Sequence, residues 1–154
     1  MEEKIKKYIE QEKSNKPLHI PGYNYCGPGT KVVTSITNNV KPINDLDEGC
    51  RVHDVEYLEF AGNPEKIIES DKRLINVSQK WRDSKKYKDQ RRGFFSKIYD
   101  WFSSKGVEKV FQGKRLLEKY KILDPVGFAQ KLSNRSFKED VEIGKYLKSK
   151  YFNN

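Results

Sequence analysis

The pattern that most constrains this chain is a pair of consecutive helical stripes, each carrying one ionisable residue where apolar side chains belong. Leu46, Cys50, His53, Tyr57 and Ala61 recur at helical spacing, which places an imidazole on the core-facing stripe of a helix predicted over about 47–61. Asp45 or Asp47 is the expected cap, with acidic residues filling the first turn, and Gly62 ends the helix. Asn63 followed by Pro64 then reads as a new start, a capping side chain ahead of a proline at the first helical position. This second helix has Ile67, Ile68, Leu74, Ile75, Ser78 and Trp81 on one stripe, and Asp71 falls inside it. So tight a connection predicts two helices packed antiparallel. Burying a lone carboxylate costs several kcal/mol or more, so the spacing predicts that His53 and Asp71 meet between the helices.

Ahead of this pair lies a long stretch, 17–47, broken by Pro17, Pro21, Gly22, Gly27, Pro28, Gly29 and Pro42 and holding one β-branched patch at Val32 to Thr37. A loop of that length inside a compact domain needs a reason to be ordered. Within it, "YNYCGPGT" contains a Gly-Pro-Gly turn that can point backbone carbonyls to one side, an arrangement a hard cation such as calcium can use. Taken alone, such a segment is more often only a turn. His19, in the same stretch, reads as an ordinary loop residue. Cys26 and Cys50 fit either one disulfide or two reduced core thiols.

A chain of 154 residues is one domain with one core. Its 34% charged residues imply a small core under a heavily solvated surface, while the 12% of aromatics argue against wholesale disorder. The net charge of +9 implies attraction to something anionic, whether nucleic acid, acidic protein or membrane surface. No apolar run approaches the roughly 20 residues that a bilayer span needs. The opening "MEEKIKKYIEQEK" has neither an apolar signal segment nor a Met-Gly start, so neither secretion nor myristoylation is expected from it.

The flanks read more simply. Residues 3–13 are expected to form a short charged helix covering the core with Ile5, Tyr8 and Ile9. After a basic run, "FFSKIYDWFSSKGVEKVFQGKRLLEKYKIL" reads as one or two amphipathic helices, with Phe94, Phe95, Trp101 and Phe102 among Arg91, Arg92, Lys97 and Lys105. Such interleaving suits a membrane interface, although completing the core is an equally good use for most of these aromatics. A capping box at Ser136 and Glu139 predicts a last helix with Phe137, Val141, Leu147 and Tyr151 on its apolar side. The expected divisions are an N-terminal helix at 1–16, a central domain at 17–122 that carries both stripes, and a helical extension at 123–154.

The segments "YCGPG", "PINDLDEGCRVHDVEY" and "SDKRLI" together resemble the calcium-dependent phospholipase A2 superfamily. The first two are similar to the calcium loop and His-Asp helix of the secreted enzymes. The Gly-Pro-Gly turn, the Asn-Pro helix start and the aspartate of "SDKRLI" are similar to the phospholipase A2 domain of parvovirus minor capsid proteins. The resemblance covers roughly residues 21–102. It implies a mainly α fold in which a calcium-binding loop precedes two antiparallel helices carrying the His/Asp pair, with further amphipathic helices around them.

It also implies roles. His53 is the expected general base that activates a water to attack the sn-2 ester of a glycerophospholipid, oriented by Asp71, with Tyr57 bonded to Asp71. The carbonyls of Tyr25, Gly27 and Gly29 and the carboxylate of Asp54 are the expected Ca2+ ligands, and the backbone N–H of Gly27 is expected to help the ion stabilise the oxyanion. Cys26 and Cys50 match a loop-to-helix disulfide of the secreted enzymes. The implied partner is a phospholipid membrane surface, and the implied setting is a virion acting at the host endosomal membrane, with secretion as the alternative. Thr30 departs from the family's Asn or Gly, and the span from Gly29 to His53 is longer than in either branch. These departures keep open a second reading, a catalytically weak membrane- or protein-binding module on the same scaffold. No specific nucleic-acid role is expected, because the basic residues are scattered and no recognised motif is present.

Overall fold

The computed structural model of the protein describes residues 1–17, 19, 22–27, 29–84 and 137–152. The aromatic and basic stretch expected to form amphipathic helices lies outside these residues, as does the Ser136 half of the predicted capping box. The described residues form five helices and no strand: α1 (Glu2–Glu12), α2 (Val32–Thr37), α3 (Asp45–Glu59), α4 (Pro64–Asp83) and α5 (Phe137–Tyr151). The protein is mainly α-helical, as its resemblance implies.

The centre of the fold is α3 against α4. Partner positions fall along α4 as they rise along α3, from Gly49 beside Val77, through His53 at Asp71. The helices are therefore antiparallel, as the short turn between them requires. Asn63 caps α4 by accepting a hydrogen bond from the Lys66 N–H, with Pro64 in the first turn, as its sequence predicts. The cap of α3 is a correction. Neither Asp45 nor Asp47 serves; Asn44 accepts from the Asp47 N–H at 2.8 Å, and the Asp47 carboxylate is used elsewhere.

A second difference lies in the long loop, where the β-branched patch "VVTSIT" folds as α2. β-Branched residues disfavour so short a helix. Glu12, buried at the end of α1, supplies what the local sequence lacks: its carboxylate accepts from the N–H groups of Val33 and Thr34, each at 2.9 Å, and from the Thr34 hydroxyl at 2.7 Å. A charged acceptor from another element thus satisfies donors that a helix start leaves open.

Helix α5 closes the back of α3. Gly144 makes this approach possible, because a Cβ there would stand 2.2 Å from the Glu59 backbone nitrogen. Lys148 then reaches Glu59 at 2.8 Å. Helix α1 lies along α5 through a Tyr8 hydroxyl that donates to Asp140 at 2.6 Å and through the ion pairs Lys4–Glu142 and Lys7–Glu139. Tyr8, Tyr25, Val33, Ile36, Leu46, Val55, Ile143 and Leu147 make one buried cluster drawn from the loop and from α1, α2, α3 and α5. Among the described residues no helix is long and apolar enough to cross a membrane.

Candidate active site

The two ionisable residues that sequence spacing puts on facing stripes do meet. His53 Nε2 lies 2.7 Å from Asp71 Oδ1, with the His53 side chain almost enclosed and Asp71 fully buried. The Tyr57 hydroxyl, one turn along α3, donates to the same carboxylate oxygen at 2.9 Å, and its ring stacks at a tilt on the imidazole with centroids 4.5 Å apart. An ionised carboxylate only accepts hydrogen bonds, so this partnership assigns the proton of a neutral His53 ring to Nε2 and makes Nδ1 the basic nitrogen. Because both side chains are fixed by helix packing, the ring orientation is set before any substrate arrives.

His53 also lines a groove of about 380 Å³ between α3 and α4, walled by Val52, Leu74 and Val77 and flanked by Glu56 and Arg73.

The loop before α3 is held by three anchors. Asp47, without solvent exposure, accepts from the N–H groups of Asn24, Tyr25, Cys26 and Ile43, the shortest being Tyr25 at 2.8 Å. Four backbone donors gathered on one carboxylate explain why so long a loop is ordered. The Tyr25 hydroxyl donates to the Val40 carbonyl at 2.6 Å. Cys26 and Cys50 form a disulfide with Cα atoms 5.2 Å apart, tying the loop to α3 and settling the choice between bridge and free thiols.

Gly27 and Gly29 both have positive φ, +140° and +78°. At Gly29 a Cβ would also lie 2.9 Å from the Lys16 carbonyl oxygen. The turn at this position therefore needs glycine on two counts. The Thr30 hydroxyl sits 3.2 Å from both the Tyr25 and the Gly27 carbonyl oxygens, bringing two of the expected calcium ligands to one side chain. His19 is not the bystander its sequence context implies, since its Nε2 lies 2.8 Å from the Thr30 hydroxyl. Partial burial lowers the His19 pKa, and the Asp47 carboxylate only partly opposes that.

Asp54 stands apart from the other acids. The residue keeps some surface, but its Oδ2 atom is sealed from solvent and has no hydrogen-bond partner. Loss of hydration raises its pKa well above the ordinary value of 3.8, and the nearby carboxylates of Asp47 and Glu12 push it the same way. A buried, unsatisfied oxygen in a field of negative charge is the environment a cation would correct. Among the described residues no three His, Cys, Asp or Glu side chains cluster as metal ligands. A cation at Asp54 would therefore draw on backbone oxygens, which is the donor chemistry of a hard ion and fits calcium.

Three residues that support this region are not marked by the sequence pattern: Glu12, Asp47 as a clamp, and His19. Asp47 has a recognisable signal in retrospect, being an acid that points inward from the first turn of α3 rather than capping it.

Residues 16–98 match the model of the phospholipase A2-like domain family. The match spans more than half of the protein, and the chain belongs to that family. Its stretch of 73 residues is 32% identical to capsid protein VP1 of Junonia coenia densovirus and 33% identical to capsid protein VP1 of Galleria mellonella densovirus. That stretch is 47% of this chain but 8% of either viral protein. No solved structure matches the chain.

Proposed function

We propose that the protein is a calcium-dependent phospholipase A2 that hydrolyses the sn-2 ester of glycerophospholipids. The observation that carries this reading is the buried contact of 2.7 Å between His53 and Asp71, inside a stretch that belongs to a phospholipase A2-like family. Asp71 holds the imidazole by Nε2, and Tyr57 fixes the carboxylate in turn. The Nδ1 atom of His53 takes a proton from a water, whose oxygen attacks the ester carbonyl carbon. The proton passes to the departing lysophospholipid oxygen as the ester bond breaks, releasing a free fatty acid.

The carbonyls of Tyr25, Gly27 and Gly29 and the carboxylate of Asp54 would hold calcium. When bound, calcium supplies positive charge that polarises the ester carbonyl and stabilises its oxyanion. The Gly27 N–H is assigned as a further donor to that oxyanion. The groove walled by Val52, Leu74 and Val77 offers apolar surface beside the base for an acyl chain.

The relatives named as capsid proteins support a place for this domain in a virion, where the activity would breach a host endosomal membrane during entry. The excess of Lys and Arg suits an anionic phospholipid surface as the partner. One observation favours the rival, a weakly catalytic binding module: the Thr30 hydroxyl already engages two of the carbonyls that calcium needs.

Fatty-acid release from mixed phosphatidylcholine and phosphatidylglycerol vesicles separates the two. Wild-type protein with calcium is expected to release the sn-2 chain, and chelation is expected to stop it. His53→Gln should lower the rate by about a thousandfold, in the range for loss of a general base, with an unchanged circular dichroism spectrum. Vesicle binding without calcium-dependent hydrolysis would leave the module reading standing.

A further inference from the structure

Thr30 is the one departure from the family's loop pattern that falls among the expected calcium ligands, and the structure gives it a position with chemical consequences. Its side chain is nearly buried, at 9% exposure, and its hydroxyl oxygen has three polar neighbours: the Tyr25 and Gly27 carbonyl oxygens, each at 3.2 Å, and His19 Nε2 at 2.8 Å. A hydroxyl has one hydrogen and two lone pairs. Facing two carbonyls, it can share that hydrogen between them, and it then accepts from an Nε2–H on His19.

We propose that the Thr30 hydroxyl oxygen is a cation ligand, added to the Tyr25 and Gly27 carbonyls when calcium binds, with His19 as the acceptor that lets the hydroxyl turn. The proposal rests on the calcium reading above. Around a calcium ion, oxygens lie at roughly 2.3–2.6 Å and neighbouring ligands subtend roughly 72–90°, so adjacent oxygens stand roughly 2.7–3.7 Å apart. Both 3.2 Å separations from Thr30 are edges of that size. No heavy atom of the hydroxyl has to move. Rotation about the Cβ–Oγ1 bond takes the hydrogen away from the carbonyls and aims it at Nε2, freeing a lone pair for the cation. The ring proton of His19 relocates through solvent from Nε2 to Nδ1. No bond to Thr30 is made or broken, and charge is conserved.

A threonine oxygen adds a neutral ligand to a site with a single carboxylate. It raises the number of protein oxygens without adding negative charge, which favours the larger coordination shell of calcium over the strict octahedron of magnesium.

The test uses the full chain as wild type, Thr30→Ser and Thr30→Val. Calcium affinity is read by calorimetry. Inner-sphere water is counted by terbium luminescence lifetimes in H2O and D2O. Thr30→Ser is expected to keep the wild-type water count and affinity. Thr30→Val is expected to gain about one bound water and to bind calcium about tenfold more weakly. A second readout needs no variant: ring 15N shifts of His19 in wild-type protein should show the protonated nitrogen change from Nε2 to Nδ1 on adding calcium. The proposal is overturned by Thr30→Val binding as tightly as wild type with an unchanged water count, or by a His19 tautomer indifferent to calcium. Wild-type protein that binds no calcium at all would remove the calcium reading itself, an outcome distinct from loss of the Thr30 role alone.

Discussion

On α4, Asp71 is wholly buried and accepts hydrogen bonds from His53 and Tyr57 at 2.7 and 2.9 Å; on α3, one residue after that same histidine, Asp54 has an equally sealed oxygen that accepts none. A third acid, Asp47 in the first turn of α3, is as well satisfied as Asp71, since four loop N–H groups converge on it. The difference separates what the chain completes by itself from what it leaves for a ligand. The helix pair supplies both partners of the His53–Asp71 contact. The loop supplies an anchored frame, and α3 adds beside the histidine one carboxylate held in an unfavourable state. On this view the helices carry the base, the loop carries the cation, and the disulfide and Asp47 keep the two in register.

Removing the clamp should have the largest effect on folding. Asp47→Ala leaves four backbone donors without their carboxylate, and buried donors left unmade cost about 1–3 kcal/mol each before relaxation. A loss of at least about 3 kcal/mol in urea unfolding is expected. A variant as stable as wild type would show that the loop is ordered by something other than this residue.

Asp54 should behave in the opposite sense when no metal is present. An acid whose pKa rises on folding holds its proton more tightly in the folded state, and that contribution is complete below the unfolded value near 3.8 and lost as pH rises through the folded value. Metal-free wild type should therefore lose stability relative to Asp54→Asn as pH climbs above about 4. The melting temperature of the variant should exceed that of wild type by a few degrees at neutral pH in chelator, with calcium erasing the difference by stabilising only the wild type. Identical pH profiles in chelator would mean that Asp54 is not destabilised by its burial.

The smallest change is expected at Tyr57. Tyr57→Phe deletes one hydrogen bond to Asp71 while leaving the ring on His53, so hydrolysis should fall by no more than about tenfold, near 1 kcal/mol. A loss as deep as that of His53→Gln would move Tyr57 from a supporting position into the chemistry.

Much of the helix pair is legible in the sequence because helix periodicity is local. Once two stripes and an Asn-Pro start are recognised, residues 53 and 71 have few places to go other than toward each other. The loop is less legible because its order comes from a distance. Asn44 caps α3 although Asp45 and Asp47 are equally good formers of caps, and the reason is that Asp47 is claimed by backbone donors about twenty residues upstream in the chain. Helix α2 forms from β-branched residues because Glu12 of another helix caps its start. His19 and Thr30 meet across a turn whose geometry no period encodes. The Cys26–Cys50 bridge is open from counting alone and follows only from the family resemblance.

The division of labour between base and cradle is tested most directly by a calcium isotherm, measured by calorimetry on wild type, His53→Gln and Asp54→Asn at the same pH. Calcium binding is expected in wild type, unchanged binding in His53→Gln despite its loss of hydrolysis, and binding weakened at least about a hundredfold in Asp54→Asn, which lacks the site's single ligand charge. Equal affinity in wild type and Asp54→Asn, or no calcium binding by either, would contradict the account.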